Sequence, residues 1–442
     1  MNPMQHVVDS TGAMHVLSKK IGVGGQGQVW LVEGGRRIVK LLDAGGDAEA
    51  LRRQLLFVRR LDLAGLHVAR PIAVLKPPHV GYVAEFLVDM VSIKALMDTP
   101  TADLTRWYLD TGGVRRRLRL LANAGEALLG LHAKGVVYGD VSHNNVFVSG
   151  PVGATEAWLI DLDNLSYESD PPRAMFTPGY GAPEVVNRTA GSTTLSDAWA
   201  FAVLVWHTLT LGHPFVGDLV HDGEPELEEQ AFAGRLPWVG HSTDARNQAT
   251  TGLPADLVLG ARLRDLARRT FEDGLTDRRR RPGVSEWVER LHTAADQTVV
   301  CPECSGSYFV PEANCPWCDA PRPGFTPVRL CRWHPDKGLV EGAVRLGQLP
   351  LARDGLVLTR RMTEGLAGVR GREPHVTLTA ADRGVAVEAH PGRVAWVAPV
   401  GGANHERYDV SARRRVVPST GWMVLFDEPT KEQRVAVIGR SS

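Results

Sequence analysis

The chain has 442 residues, 43% hydrophobic and 23% charged, enough for more than one domain with its own apolar core. Lysine plus arginine total 50 and aspartate plus glutamate total 50, so the net charge is zero and composition gives no case for nucleic acid or a membrane surface as the main partner. The longest apolar run, 198–211, is interrupted by His207 and two threonines and is too short to cross a bilayer. It reads as a buried helix. The first residues lack the basic start and apolar core of a secretory signal, so a cytoplasmic protein with no membrane contact is expected. Four of the five cysteines fall within 301–318 as two CxxC pairs, which suits a metal site among reduced thiols better than a disulfide framework.

From Leu17 the sequence LSKKIGVGGQGQVWLVEGGRRIVKLLD predicts two strand-like segments turned at Glu33-Gly34-Gly35-Arg36. Gly22, Gly24 and Gly27, with Val29 beyond, have a spacing that lets backbone approach phosphates without β-carbon clashes. A dinucleotide fingerprint has the same letters but needs strand, turn, then helix; here the glycine run passes into another strand, Val29-Trp30-Leu31-Val32. Lys40, flanked by Val39 and Leu41, is better explained as a ligand to phosphate than as a solvated edge-strand lysine. A helix is predicted from Asp47, with Leu51, Leu55 and Val58 at helical spacing; Glu49 in its first turn also suits the helix dipole. Residues 81–87 read as a strand.

Leucine spacing predicts a helix over 114–132, stopped by Gly135. It delivers the chain to 136–149, VVYGDVSHNNVFVS, in which Asp140 and Asn145 stand five residues apart between two apolar runs. A loop so bounded can hold a base and a metal ligand at one mouth; a surface loop in which both side chains only cap turns is the plainer alternative. Then come a strand, a Gly-Pro turn, WLIDLD at 158–163, FTPGYGAPE at 176–184, SDAWAF at 196–201 and four arginines before Pro282.

Taken in order over roughly 13–295, these motifs resemble those of eukaryotic-like serine/threonine protein kinases, with Tyr138-Gly139-Asp140 where that family has His-Arg-Asp. The resemblance implies a two-lobed kinase fold. It also implies that the glycine loop and Lys40 hold the phosphates of ATP, that Glu49 is the ion-pair partner of Lys40, and that Glu85 and Leu87 belong to a hinge pairing with adenine. Ala84 would be the gatekeeper beside a roomy back pocket. Asp140 would accept the hydroxyl proton, Asn145 and Asp161 would bind Mg²⁺, Thr177 would bond Asp140, and Asp197 would bond backbone of the catalytic loop. Leu162 and Asp163 replace the family's aromatic residue and glycine, adding a carboxylate and removing a flexible position. Arg281 is expected to bridge to Glu184, leaving the other arginines a solvated face rather than a nucleic-acid patch.

Beyond the kinase, Cys301, Cys304, Cys315 and Cys318 form two knuckles ten residues apart, four thiolates able to converge on one Zn²⁺ in a structural ribbon spanning 296–323. Such a segment is too short to bury a core, so the metal supplies its folding energy. Cys331 lies outside the pattern and reads as a small buried residue. The remainder, 324–442, has β-rich runs at 339–346, 355–361, 374–380, 383–389, 393–399, 421–426 and 433–439, spaced as in an all-β sandwich. It resembles forkhead-associated domains faintly; Arg353, Arg360 and Arg361 are candidates to receive a phosphate, or merely solvated arginines on a strand.

The expected architecture is therefore α+β: a tail over 1–12, a kinase domain over 13–295, a zinc ribbon and a β-sandwich-like domain. The expected function is transfer of the γ-phosphate of ATP to protein hydroxyls, with ATP, Mg²⁺ and Zn²⁺ as cofactors. The resemblance further implies a bacterial stress or defence system and, as partners, protein substrates, a von Willebrand A-type protein and a metal-dependent phosphatase. A nucleotide-binding pseudokinase scaffold acting through its ribbon and β domain is the other reading.

Overall fold

The computed structural model describes residues 6–24, 27–43, 45, 47–170, 174–340, 348–402 and 406–439. The chain divides into two compact units, one of Met1–Asp98, Asn123–Gly252 and Asp265–Trp287, the other of Thr99–Ala122, Leu253–Arg264 and Val288–Ser442.

The first unit begins with a six-stranded antiparallel sheet. Its strands are β1 (His6–Val8), β2 (Met14–Gly24), β3 (Gly27–Val32), β4 (Arg37–Leu42), β5 (Ala73–Val74) and β6 (Gly81–Glu85), in the order β1-β2-β3-β4-β6-β5. The stretch expected as a tail thus supplies β1, which pairs His6–Val8 with Met14–Val16 of β2 and buries Val7. Strand alternation sorts the residues: Val7, Leu17, Val39 and Val83 pack on one face, Ile38, Tyr82 and Ala84 on the other. The second face is covered by helix α1 (Ala48–Arg60), which starts where the Asp47 carboxylate accepts the Ala50 N–H at 3.0 Å and buries Leu55 and Val58. Lys40 shares the parity of Ile38 and so lies on the α1 side of the sheet. The room expected beside Ala84 is taken up by Leu55, Val74 and Tyr82.

Strand β7 (Met90–Ser92) follows, then helices α2 (Leu104–Asp110) and α3 (Gly113–His132). Next come β8 (Val136–Val137), β9 (Val146–Ser149), β10 (Ala157–Leu159) and β11 (Ser166–Tyr167); β9 lies between β10 and β7, and β8 pairs with β11. Helix Thr194–Thr210 is nearly all buried, as its mostly apolar sequence requires, and opens with a reciprocal capping box between Thr193 and Ser196. Among the described residues no helix is long and apolar enough to cross a membrane.

In the second unit β12 (Thr298–Val300) and β13 (Ser307–Phe309) form a hairpin carrying the first cysteine pair. It is anchored to α2 and the start of α3. The Arg115 N–H donates to Ser307 Oγ at 3.0 Å, and the Arg115 guanidinium donates to Thr298 Oγ1 at 2.6 Å and to the Thr298 carbonyl at 2.7 Å. The rings of Tyr108 and Trp317 meet at 5.4 Å.

Residues from 326 onward make two antiparallel sheets. One runs β15 (Gly338–Val340), β14 (Thr326–His334), β24 (Gln433–Ile438), β23 (Trp422–Leu425), β20 (Trp396–Pro399), β21 (Tyr408–Asp409), with β16 (Gln348–Leu351) also on β14; the other runs β17 (Leu356–Thr359), β18 (Pro374–Ala381), β19 (Gly384–Ala389), β22 (Arg415–Val417). Their facing residues, among them Val328, Leu358, Val376, Val387, Val424 and Ala436, form one apolar cluster. Most of the predicted run at 339–346 lies outside the described residues, and β14, the strand next to β24, was not among the predicted runs.

The phosphate-receiving role suggested for the β-domain arginines meets an obstacle. Arg360 and Arg361 stand in a helical turn, Arg360–Thr363, not on a strand. Arg360 is paired with Glu364 and Glu373, and Arg361 with Asp296. A phosphate would have to displace carboxylates already in place. Cys331 is partly buried in β14, where burial pushes its thiol up.

Candidate functional site

The loop between β8 and β9 is held from beneath by Asp197, on the buried helix Thr194–Thr210. Its carboxylate accepts the backbone N–H of Tyr138 at 2.8 Å and of Gly139 at 2.9 Å, and lies 3.0 Å from His132 Nε2. Gly139 has φ +81°, a left-handed conformation in which a side chain is strained; the smallest residue is used where the family template has arginine. With the backbone so pinned, Asp140 and Asn145 come together. Asn145 Nδ2 donates to the Asp140 carboxylate at 2.8 Å and to its carbonyl at 3.0 Å. Thr177 Oγ1 donates to the other carboxylate oxygen at 2.7 Å. Burial pushes the Asp140 carboxyl up, and the Thr177 and Asn145 donors hold it back, leaving it above the ordinary aspartate value.

Lys40 reaches across from the sheet. Its ammonium pairs with Asp161 and, at 3.2 Å, with Asp163. Asp161 itself sits at φ +61°, a left-handed conformation that costs a non-glycine residue about 1 kcal/mol. The Tyr82 phenol is buried, and burial, together with the Asp161 and Asp163 carboxylates beside it, pushes it up and keeps it neutral.

Glu49 is not at this site. Its side chain is 85% exposed and its partner is Arg53, one turn along α1 at 3.4 Å. The first turn of α1 points this carboxylate into water, so the expected Lys40–Glu49 pair is corrected: Lys40 finds its anions on the segment after β10.

The three glycines do different things. A β-carbon on Gly27 would lie 1.9 Å from the Leu41 carbonyl oxygen, so glycine is needed for β3 to approach β4. Among the described residues a β-carbon on Gly24 would meet nothing within 4 Å, and one on Gly22 only Val29 at ordinary contact distance. Space for a ligand is therefore at Gly24, while Gly27 serves the sheet. Val29 pairs across the strands with Lys40. Glu85 ends β6, and Glu85 and Leu87 line a cavity of about 360 Å³ with Arg37, Val68 and Trp158.

Glu184 and Arg281 form a doubly hydrogen-bonded pair at 2.6 and 2.8 Å, with the guanidinium 4.8 Å from the Trp199 ring. Burial raises the Glu184 carboxyl, but Arg281 outweighs it and the net shift is downward. Replacing Arg281 by methionine is expected to cost about 3 kcal/mol, because a buried carboxylate loses its partner. A urea-unfolding free energy lowered by less than about 1 kcal/mol would contradict a structural role. In the wild type this contribution is fully present at neutral pH and is lost as pH falls below about 4.5 and through the lowered folded value.

The four cysteines also converge. Their sulfurs lie within 4.8 Å of one another, with Cys301 to Cys318 and Cys304 to Cys315 both 3.6 Å apart. A tetrahedral zinc with bonds of about 2.3 Å requires sulfur–sulfur edges of about 3.8 Å, so the donor set fits that ion.

Residues 83–286 match the protein kinase domain family. The chain is 31% identical over 227 residues to serine/threonine-protein kinase PkaB of Streptomyces coelicolor, covering 47% of this chain and 51% of that protein. It is 28% identical over 254 residues to serine/threonine-protein kinase pkn2 of Myxococcus xanthus (51% and 27%) and 29% identical over 221 residues to CBL-interacting protein kinase 4 of Oryza sativa subsp. japonica (45% of each). The chain spans about half, or less, of the length of these relatives.

Proposed function

We propose that this chain is an ATP-dependent serine/threonine protein kinase. The observation that carries the reading is the convergence of Thr177 and Asn145 on the Asp140 carboxylate, with Lys40 and Asp161 paired nearby. Asp140 has the acceptor capacity and raised proton affinity suited to taking the proton of a substrate hydroxyl. Thr177 fixes one of its oxygens and Asn145 the other. Lys40 and the backbone around Gly24 supply positive charge and open space for phosphates. Asp161 and Asn145 would hold Mg²⁺, which neutralises charge on the transferring phosphate. Kinase names among relatives that match over nearly half the chain support the same reading. The 296–323 module is read as a zinc ribbon bracing α2 and α3, and the two-sheet region as a β-sandwich; the shared apolar cluster and the Arg115 contacts support this. The test is Mg²⁺-dependent transfer of labelled γ-phosphate by the full chain to itself or to a basic protein. A purified, folded protein with no transfer would end the proposal.

Two outcomes follow from the geometry. Thr177→Ala is expected to lower kcat at least tenfold with little change in KM for ATP, and Thr177→Ser to restore most of it, because serine keeps the hydroxyl that donates to Asp140. Equal losses in both variants would point to packing instead. Thr177 reaches Asp140 without any phosphate, and Gly139 offers no guanidinium to pair with one. Protein produced with a phosphatase, and shown by mass to be unmodified at Ser166, Tyr167 and Ser169, is therefore expected to be active from the first turnover. A lag abolished by pre-incubation with ATP would refute this.

A further inference from the structure

Residues 48–60 of α1 contain one acid, Glu49, and it faces water. Lys40, 7% exposed, would be left without a permanent counter-ion if Asp161 were its sole partner, since a metal ligand must release the lysine when the metal arrives. Asp163 removes that difficulty. Its carboxylate lies 3.2 Å from the Lys40 ammonium, its side chain is 7% exposed against 25% for Asp161, and it comes from the interior side of the pair. Its second oxygen has no hydrogen-bond partner among the described residues; burial and the neighbouring Asp161 push its carboxyl up to about 7, and Lys40 is the cation that opposes this shift. The residue sits in a tight turn, Leu162–Asn164, at a negative φ that accepts a β-carbon, so nothing in the backbone demands the glycine of the family template.

We propose that Asp163 is the positioning residue for Lys40: a fixed buried counter-ion that aims the ammonium at the nucleotide phosphates and leaves Asp161 free for Mg²⁺. The inference rests on the kinase reading above. An ion pair with both members under a tenth exposed is screened far less than a surface pair, which is why it can hold a side chain with four rotatable bonds. The consequence is a change in what controls the lysine. Its anchor lies two residues from Asp161 on one short turn, so placement of Lys40 and of Asp161 is coupled, and the position of α1 has no carboxylate through which to act.

The experiment uses the full chain and five variants, Asp163→Asn, Asp163→Glu, Glu49→Gln, Lys40→Met and the Lys40→Met/Asp163→Asn double variant, with ATP kinetics, Mg²⁺ titrations and calorimetric binding of ADP without metal. Asp163→Asn is expected to lower kcat/KM for ATP at least tenfold and to weaken metal-free ADP binding at least fivefold, with partial recovery in Asp163→Glu. In the Lys40→Met background it is expected to add less than twofold. Glu49→Gln is expected to stay within twofold of wild type. A loss confined to the Mg²⁺ requirement would make Asp163 a metal ligand and overturn the proposal, as would a tenfold loss in Glu49→Gln. If Asp163→Asn does not fold by circular dichroism, the Glu49→Gln arm decides. Absence of transfer in the wild type would count against the kinase reading, whereas the ADP-binding comparison of Asp163 and Lys40 variants tests the pairing independently.

Discussion

Asp140→Asn is expected to reduce phosphate transfer by about a thousandfold while ADP still binds. A general base contributes roughly 10²–10⁴ in rate. The substitution also damages the base's setting, because the carboxylate accepts one hydrogen bond on each oxygen, from Thr177 at 2.7 Å and from Asn145 at 2.8 Å, and an asparagine has one acceptor to offer two donors. The change should appear in kcat, since Asp140 makes no hydrogen bond or ion pair with Lys40, Asp161 or Asp163 among the described residues and feels Asp161 only through its charge. Single-turnover transfer measured at saturating ATP checks it. Retention of a tenth or more of the wild-type rate would show that the hydroxyl proton leaves by another route.

Removing zinc is expected to unfold the 296–323 segment. Structural zinc in small modules contributes about 10 kcal/mol or more of apparent binding free energy, which the apolar cluster of Val299, Tyr308, Trp317 and Ala320 is too small to replace. Elemental analysis should find one zinc per chain, and a chelator, or Cys315→Ser, should make the segment sensitive to protease. The effect should spread to α2 and the start of α3, because Trp317 packs on Tyr108 and Arg115 ties that helix to Thr298 and Ser307. The isolated Trp317→Phe variant separates the two levels: metal retained, α2 contact weakened. A metal-free chain with unchanged protection would remove the zinc assignment.

The residues whose chemistry depends on a short stretch were legible without coordinates. Asp140 and Asn145 share a six-residue loop, and the CxxC knuckles impose their own geometry, so local sequence already brings these donors near one another. The two-sheet region was legible in part: alternation exposed most of its strands, but β14, which carries Pro327 and Cys331 beside β24, lacked the simple pattern and was passed over. Helix Thr194–Thr210 was evident from its long apolar run at 198–206, and with it the position of Asp197 at its start.

By itself, then, the amino-acid order determined which reactive groups exist and which neighbours within a loop or turn they have, because those distances are set by a few covalent links. Only the tertiary structure decided which groups from distant segments meet. Glu49 and Asp163 are both plausible partners for Lys40 on paper, at separations of nine and 123 residues. The fold turns the first turn of α1 outward and places the buried turn after β10 beneath Lys40, so the distant acid pairs with the lysine and the nearby one is left to water. Arg360 and Arg361 follow the same logic in part: Glu364 is one helical turn from Arg360, but Glu373 and Asp296, their other partners, are brought within reach only by packing.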